Sequence, residues 1–119
     1  MIKLTFCLHR LPHLNRSEFQ DYWFHTHAPL VASVREALKI RRYVQLHSLP
    51  STDDAPFAAA RGAPEPYDGM AQLWWDTAED LASNTPEAIR AGALLLEDER
   101  KFIDLPRSPL WLGEEREIF

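Results

Sequence analysis

Strict alternation over residues 2–10 constrains this chain more than any other feature. Ile2, Leu4, Phe6 and Leu8 fall on one side of an extended backbone, and Lys3, Thr5, Cys7 and His9 on the other. A period of two belongs to a strand with one greasier face. LPHLN then breaks the pattern, and Asn15 followed three residues later by Glu18 has the form of a capping box. A helix is predicted from there to about Leu38, followed by a second strand, IRRYVQLHSL (40–49), rich in β-branched and aromatic side chains. The same succession comes again. GMAQLWWD (69–76) reads as a strand, TAEDLAS as a short helical turn, and Thr85-Pro86 as cap and first-turn proline of a helix through about Ile103. SPLWLGEEREIF closes the chain as a fourth strand and tail. Between the halves, PSTDDAPFAAARGAPEP (50–66) carries four prolines and no periodicity, and reads as a long Pro/Ala-rich loop.

The order βαββαβ with right-handed crossovers predicts an α+β fold: a ferredoxin-like antiparallel sheet with both helices on one face. A length of 119 residues suits one domain, 1–119. The other sheet face would carry Thr5, Cys7, Tyr43, Gln45, Gln72 and Trp74 or their alternates. Aromatics on an open face call for a cover, and a second copy packed sheet to sheet, a homodimer, supplies it.

Charge and motif content narrow the function. A formal net charge of −5 argues against a nucleic-acid partner, which needs a basic patch. No stretch approaches the ~18 apolar residues of a membrane span, and the N-terminus lacks the apolar run of a signal peptide. The single cysteine, Cys7, allows no intrachain disulfide, which fits a cytoplasmic location; in a strand it reads as a packing residue before it reads as a nucleophile. No phosphate loop, nucleophile elbow or Cys-x-x-Cys is present. His9 and His47 fall on strands two places apart with no third ligand, so no metal site is expected.

The chemistry concentrates in YWFHTHAP (22–29). At ~100° per residue, Phe19, Trp23, Leu30 and Val34 form one stripe, His27 lies inside it, and His25 points away. Pro29 has no N–H to give the His25 carbonyl, so the helix should kink there and open room beside the preceding side chain. Two readings of His27 stand. In the core, both ring nitrogens meet protein partners. At a pocket, one is held by a hydrogen bond and the other faces a cavity walled by Phe19, Trp23 and the strand aromatics Trp74 and Trp75. Tyr22, about 60° off the stripe, is either a stabiliser of an oxyanion or a packing residue.

LTFCLHRLPHLNRSEFQDYWFHTHAPLV resembles the opening of the EthD family in its F-x-x-x-R-x-P, E-F-x-x-Y-W and H-x-P elements, and the likeness extends through YDGMAQLWWD and EDERKFIDLPRSPLWLGEE. The resemblance implies a dimeric α+β barrel. It also implies a small enzyme without a cofactor, acting on aromatic, polyketide-like or lactone substrates as a cyclase, decarboxylase, dehydratase or isomerase. His27 matches the histidine of H-x-P and would be the general base; His25 matches no family position. A non-catalytic dimeric protein that binds a small molecule, or serves as an accessory subunit, is the alternative.

Overall fold

The computed structural model describes the backbone of residues 1–119 and the side chains of all but residues 51–54. Its elements are β1 (Ile2–Leu8), α1 (Arg16–Tyr22), a π-helical turn (Trp23–His27), α2 (Ala28–Ser33), β2 (Arg42–His47), α3 (Ser51–Arg61), β3 (Gly69–Trp75), α4 (Ala78–Leu81), α5 (Pro86–Glu99), a 3₁₀ turn (Leu105–Arg107) and β4 (Leu110–Gly113). The four-stranded sheet has the order β2-β3-β1-β4 with every neighbouring pair antiparallel. This is the ferredoxin-like α+β arrangement predicted from the repeated strand–helix–strand pattern.

Local chemistry sets the helix starts. Asn15 accepts from the Glu18 N–H at 2.8 Å while Glu18 accepts from the Asn15 N–H at 2.9 Å, a reciprocal capping box. Thr85 caps α5 through the Ala88 N–H at 3.1 Å. The first long helix is shorter than predicted. It ends at Ser33, after which 34–39 form turns, and Lys39 takes a left-handed φ of 57° while the Ile40 N–H reaches back to the Arg35 carbonyl.

Residues 50–66 are not one long loop. Ser51–Arg61 is α3, and Gly62, with φ 57°, terminates it as the Ala63 N–H bonds the Ala58 carbonyl. The Ala58–Ala60 run, made of the strongest helix former, outweighs the prolines that suggested irregular chain.

Two apolar clusters join helices to sheet. Leu8, Phe19, Trp23, Ala71, Phe102 and Ile103 form one; Val31, Ile40 and Trp75 form the other. The pairings Leu4–Leu73–Tyr43 and Phe6–Ala71–Gln45 put Tyr43 and Gln45 on the helix side. The opposite face therefore carries their alternates Val44 and Leu46 together with Thr5, Cys7, Gln72, Trp74 and Trp111. Trp74 is nevertheless buried on that face. Lys3 and Arg42 lie over its ring at 4.8 and 4.7 Å, and its indole N–H donates to Glu115 of the C-terminal tail.

Candidate functional site

The break anticipated at Pro29 takes the form of the π-helical turn. The Ala28 N–H skips to the Trp23 carbonyl, five residues back, and the helix then restarts with Pro29 in its first turn, where a missing N–H costs nothing. The same Trp23 carbonyl also accepts from Gln45 Nε2 at 3.0 Å, which ties the turn to β2. The wider turn swings His27 inward and leaves His25 exposed, 3.7 Å from Asp21.

His27 is 5% exposed, and its ring is fixed from α5: Nδ1 lies 2.7 Å from Asp98 Oδ2. The other carboxylate oxygen of Asp98 accepts from the Tyr22 hydroxyl at 2.6 Å, and Lys101 Nζ stands 3.6 Å away. Burial would raise the Asp98 carboxyl, but the Tyr22 hydroxyl, the His27 N–H and the Lys101 charge together hold it below its ordinary value. Burial lowers the His27 pKa, with Asp98 opposing. An ionised Asp98 beside a neutral imidazole makes Nδ1–H the donor and leaves the Nε2 lone pair free. Among the described residues no group hydrogen-bonds Nε2.

The His27 ring lines a cavity of about 60 Å³ between sheet and helices. Phe6, Leu8, Trp23, Val31, Tyr43 and Glu99 are among its other walls. A second, outer pocket of about 230 Å³ shares Val31 and Tyr43 with it. Two further titratable groups thus meet the cavity. Tyr43 is raised, chiefly by burial, while its hydroxyl accepts from Gln45 Nε2 at 2.7 Å. The Glu99 carboxyl is pushed up to about 7 by burial and by the neighbouring Asp98 charge, with Arg100 opposing.

The predicted wall residues divide. Trp23 lines the cavity, stacked on His47 at 4.6 Å between ring centres, and rests against bare backbone at Gly69. Phe19 is fully buried one layer behind, 5.6 Å from Trp23 and from Phe102. Trp75 packs in the other cluster with Val31 and Ile40 and gives its indole N–H to the Leu38 carbonyl at 2.7 Å, so it does not reach the cavity. Trp74 is on the wrong face of the sheet altogether, because adjacent strand residues point to opposite sides. Tyr22 also does not line the cavity; its hydroxyl is committed to Asp98 and pushed up to about 12 by burial and that carboxylate. The His9 ring packs at a tilt against Tyr67, 4.6 Å between centres, and among the described residues no group of three potential ligands is placed to hold a metal.

Sequence reasoning missed Asp98, Glu99, Tyr43 and Phe102. The signal for three of them was present in α5 and the turn after it. Ala88, Ala91, Leu95, Asp98 and Phe102 follow helical spacing, so an acid sits on the apolar stripe, and Glu99 is adjacent to it.

A family model described as EthD domain matches residues 11–106. Among solved structures, an ethyl tert-butyl ether D (EthD) family protein from Bacillus halodurans is 23% identical, with 98% of this chain and 100% of that one covered and a TM-score of 0.62. An EthD-like protein from Ralstonia eutropha is 20% identical over 95% of this chain and 89% of its own, with a TM-score of 0.58. A dimeric protein of ferredoxin-like fold from Bacteroides fragilis is 10% identical over 96% and 95%, with a TM-score of 0.60. No curated protein matches the chain. At these identities the likeness to solved structures carries the fold.

Proposed function

The chain belongs to the EthD family, and from that premise we propose that it is a small cofactor-independent enzyme in which His27 removes a proton from an aromatic, polyketide-like or lactone substrate. The observation that carries this reading is the division of labour on one imidazole. Nδ1 is tied to a buried carboxylate 2.7 Å away, while the ring borders a cavity with Nε2 unpartnered among the described residues. A neutral imidazole fixed in that tautomer is suited to taking a proton near neutral pH. Asp98 orients it, and Tyr22 acts through Asp98 as a positioning residue. Tyr22 is not the oxyanion donor.

Size limits the substrate. A cavity of roughly 150 Å³ is needed to hold a benzene ring, so the inner space of about 60 Å³ takes a reacting end, a carbonyl with its α-carbon. The ring would occupy the outer pocket across Val31 and Tyr43. Removal of an α-proton from such a carbonyl gives the enol through which cyclisation, dehydration and isomerisation of these substrates can pass, whereas a decarboxylase reaches the same enol by loss of carbon dioxide.

The second reading is a dimeric binding or accessory protein without turnover, and the small inner cavity favours it. Long-range proton–nitrogen NMR on the histidines tests the first. The base reading requires an Nε2 shift of the unprotonated, pyridine-like kind at pH 8; a proton on Nε2 there would refute it.

The proposed assembly is a homodimer through the face opposite the helices, in a reducing cytoplasm. Trp111 and Leu46 on that face are 51% and 55% exposed, and the Bacteroides fragilis relative is dimeric. Sedimentation of a single monomeric species at micromolar concentration would overturn it. Among the described residues no helix is long and apolar enough to cross a membrane.

A further inference from the structure

We propose that Glu99 is the general acid of this site: as His27 Nε2 takes a proton from the α-carbon of a carbonyl substrate, the Glu99 carboxyl gives one to the carbonyl oxygen. The proposal rests on the general-base reading of His27. It goes beyond that reading by assigning the second proton and by restricting substrates to those with a carbonyl oxygen next to an acidic C–H.

Position argues for it first. His27 enters the cavity from the π-helical turn and Glu99 from α5, so the two groups border one small volume from different elements. The neighbouring carboxylates of α5 then differ in employment. Asp98 accepts from Tyr22 and His27 and faces Lys101, whereas Glu99 has no hydrogen-bond or ion-pair partner among the described residues. A half-buried carboxyl without a partner is costly unless it serves a ligand or keeps its proton. Electrostatics favours the proton. The groups around Glu99 are neutral His27 from the turn, Tyr43 from β2, and Asp98 and Arg100 on its own helix. Burial and the Asp98 charge outweigh Arg100 and bring the carboxyl to about 7, so near neutral pH much of the population holds a donor beside an imidazole that holds a lone pair.

The step balances. The C–H electron pair becomes the C=C bond of the enol and the carbonyl π pair moves to oxygen, which takes the Glu99 proton. The His27 imidazolium and the Glu99 carboxylate that remain are reset when the enol is reprotonated, at the original carbon or another, and its O–H proton returns to Glu99.

Two measurements on the full-length protein test this. In carbon-13-labelled wild type, the Glu99 carboxyl should titrate with a midpoint near 7; a midpoint in the ordinary carboxylate range overturns the acid role. The second uses benzoylacetone, an aryl ketone whose keto–enol interconversion is followed by absorbance. Wild type should accelerate it, with a rate that falls as pH rises through the Glu99 midpoint. Glu99→Gln should lose at least about a hundredfold and show no such alkaline fall, within the ~10²–10⁴ that proton transfer contributes. Glu99→Asp should recover part of the loss, and Glu97→Gln, an exposed carboxyl on the same helix, should change nothing. If Glu99→Gln retains the wild-type rate and alkaline limb, the acid role falls and the base reading survives. If wild type gives no acceleration, the base reading falls and takes the acid role with it.

Discussion

Glu99→Gln should make the protein more stable, and by an amount that depends on pH. The native state holds the Glu99 proton up to about 7, whereas the unfolded chain releases it near the ordinary 4.5. Between those values the native state binds more protons than the unfolded one, so wild-type stability is lost as pH rises through the window. The full gap of about 2.5 pH units corresponds to a ceiling of roughly 3 kcal/mol at pH 8. Solvent reaching the half-buried carboxyl screens part of this, which leaves a working figure of ~1–2 kcal/mol. Glutamine is isosteric and never ionises, so the variant escapes the penalty. Urea unfolding of both proteins at pH 4.5 and pH 8 isolates the effect, because any constant difference in packing cancels between the two conditions. The variant's advantage should grow by ~1–2 kcal/mol from the acid to the alkaline condition. A difference that stays flat with pH would show that Glu99 ionises as freely in the fold as outside it, and would remove the electrostatic ground for its acid role. The expected outcome combines gained stability with lost catalysis, as is common where a site holds a group in an unfavourable environment.

Other perturbations probe the rest of the site. His27 is held neutral by burial, so the unfolded chain takes up a proton first as pH falls below 6.5, and stability should drop with pH in that window; His27→Asn, monitored by thermal melts between pH 5 and 8, should remove this component. The same substitution leaves buried Asp98 short of a donor and should cost about 1–3 kcal/mol at pH 8, where a melt matching wild type would contradict the buried pairing. Asp98→Asn should shift His27 toward the other tautomer, read from its nitrogen shifts, while Tyr22→Phe should leave that tautomer in place and return the Asp98 carboxyl toward its ordinary value. Gly69→Ala places a methyl group 2.4 Å from the Trp23 ring and 3.1 Å from the Leu46 carbonyl, so it should destabilise by about 1–3 kcal/mol; a melt within error of wild type would show that Trp23 can move aside.

The fold was legible because its signals are local. Alternation over β1, the Asn15–Glu18 box and the Thr85 cap each act within a few residues, and the strand–helix–strand repeat leaves few topologies. The helical state of Ser51–Arg61 was hidden because four prolines and the absence of an apolar stripe masked a favourable alanine run. At the site, His27 was found through its stripe and Pro29, both features of one segment. Trp74 and Trp75 were misplaced together. A one-residue step along β3 sends one indole to the cation-covered outer face and the other to a separate cluster, and only the register with β1 decides which is which.

What most escaped the sequence is the coupling across 71 residues between His27 and Asp98. No local rule links the H-x-P segment to LLLEDER, since their meeting depends on α5 lying against the π-helical turn. The clue was nevertheless physical: a carboxyl on an apolar helical stripe cannot stay there without donors. Asp98 therefore requires partners from another element, and the aromatic-rich helix that shares its sheet face offers a phenol and an imidazole. Once those two are spent on Asp98, Glu99 beside it is left facing the cavity with nothing to neutralise it except its own proton. The orientation of the base and the protonation of the neighbouring acid then follow from one arrangement, in which a buried, ionised Asp98 donates geometry to His27 and negative potential to Glu99.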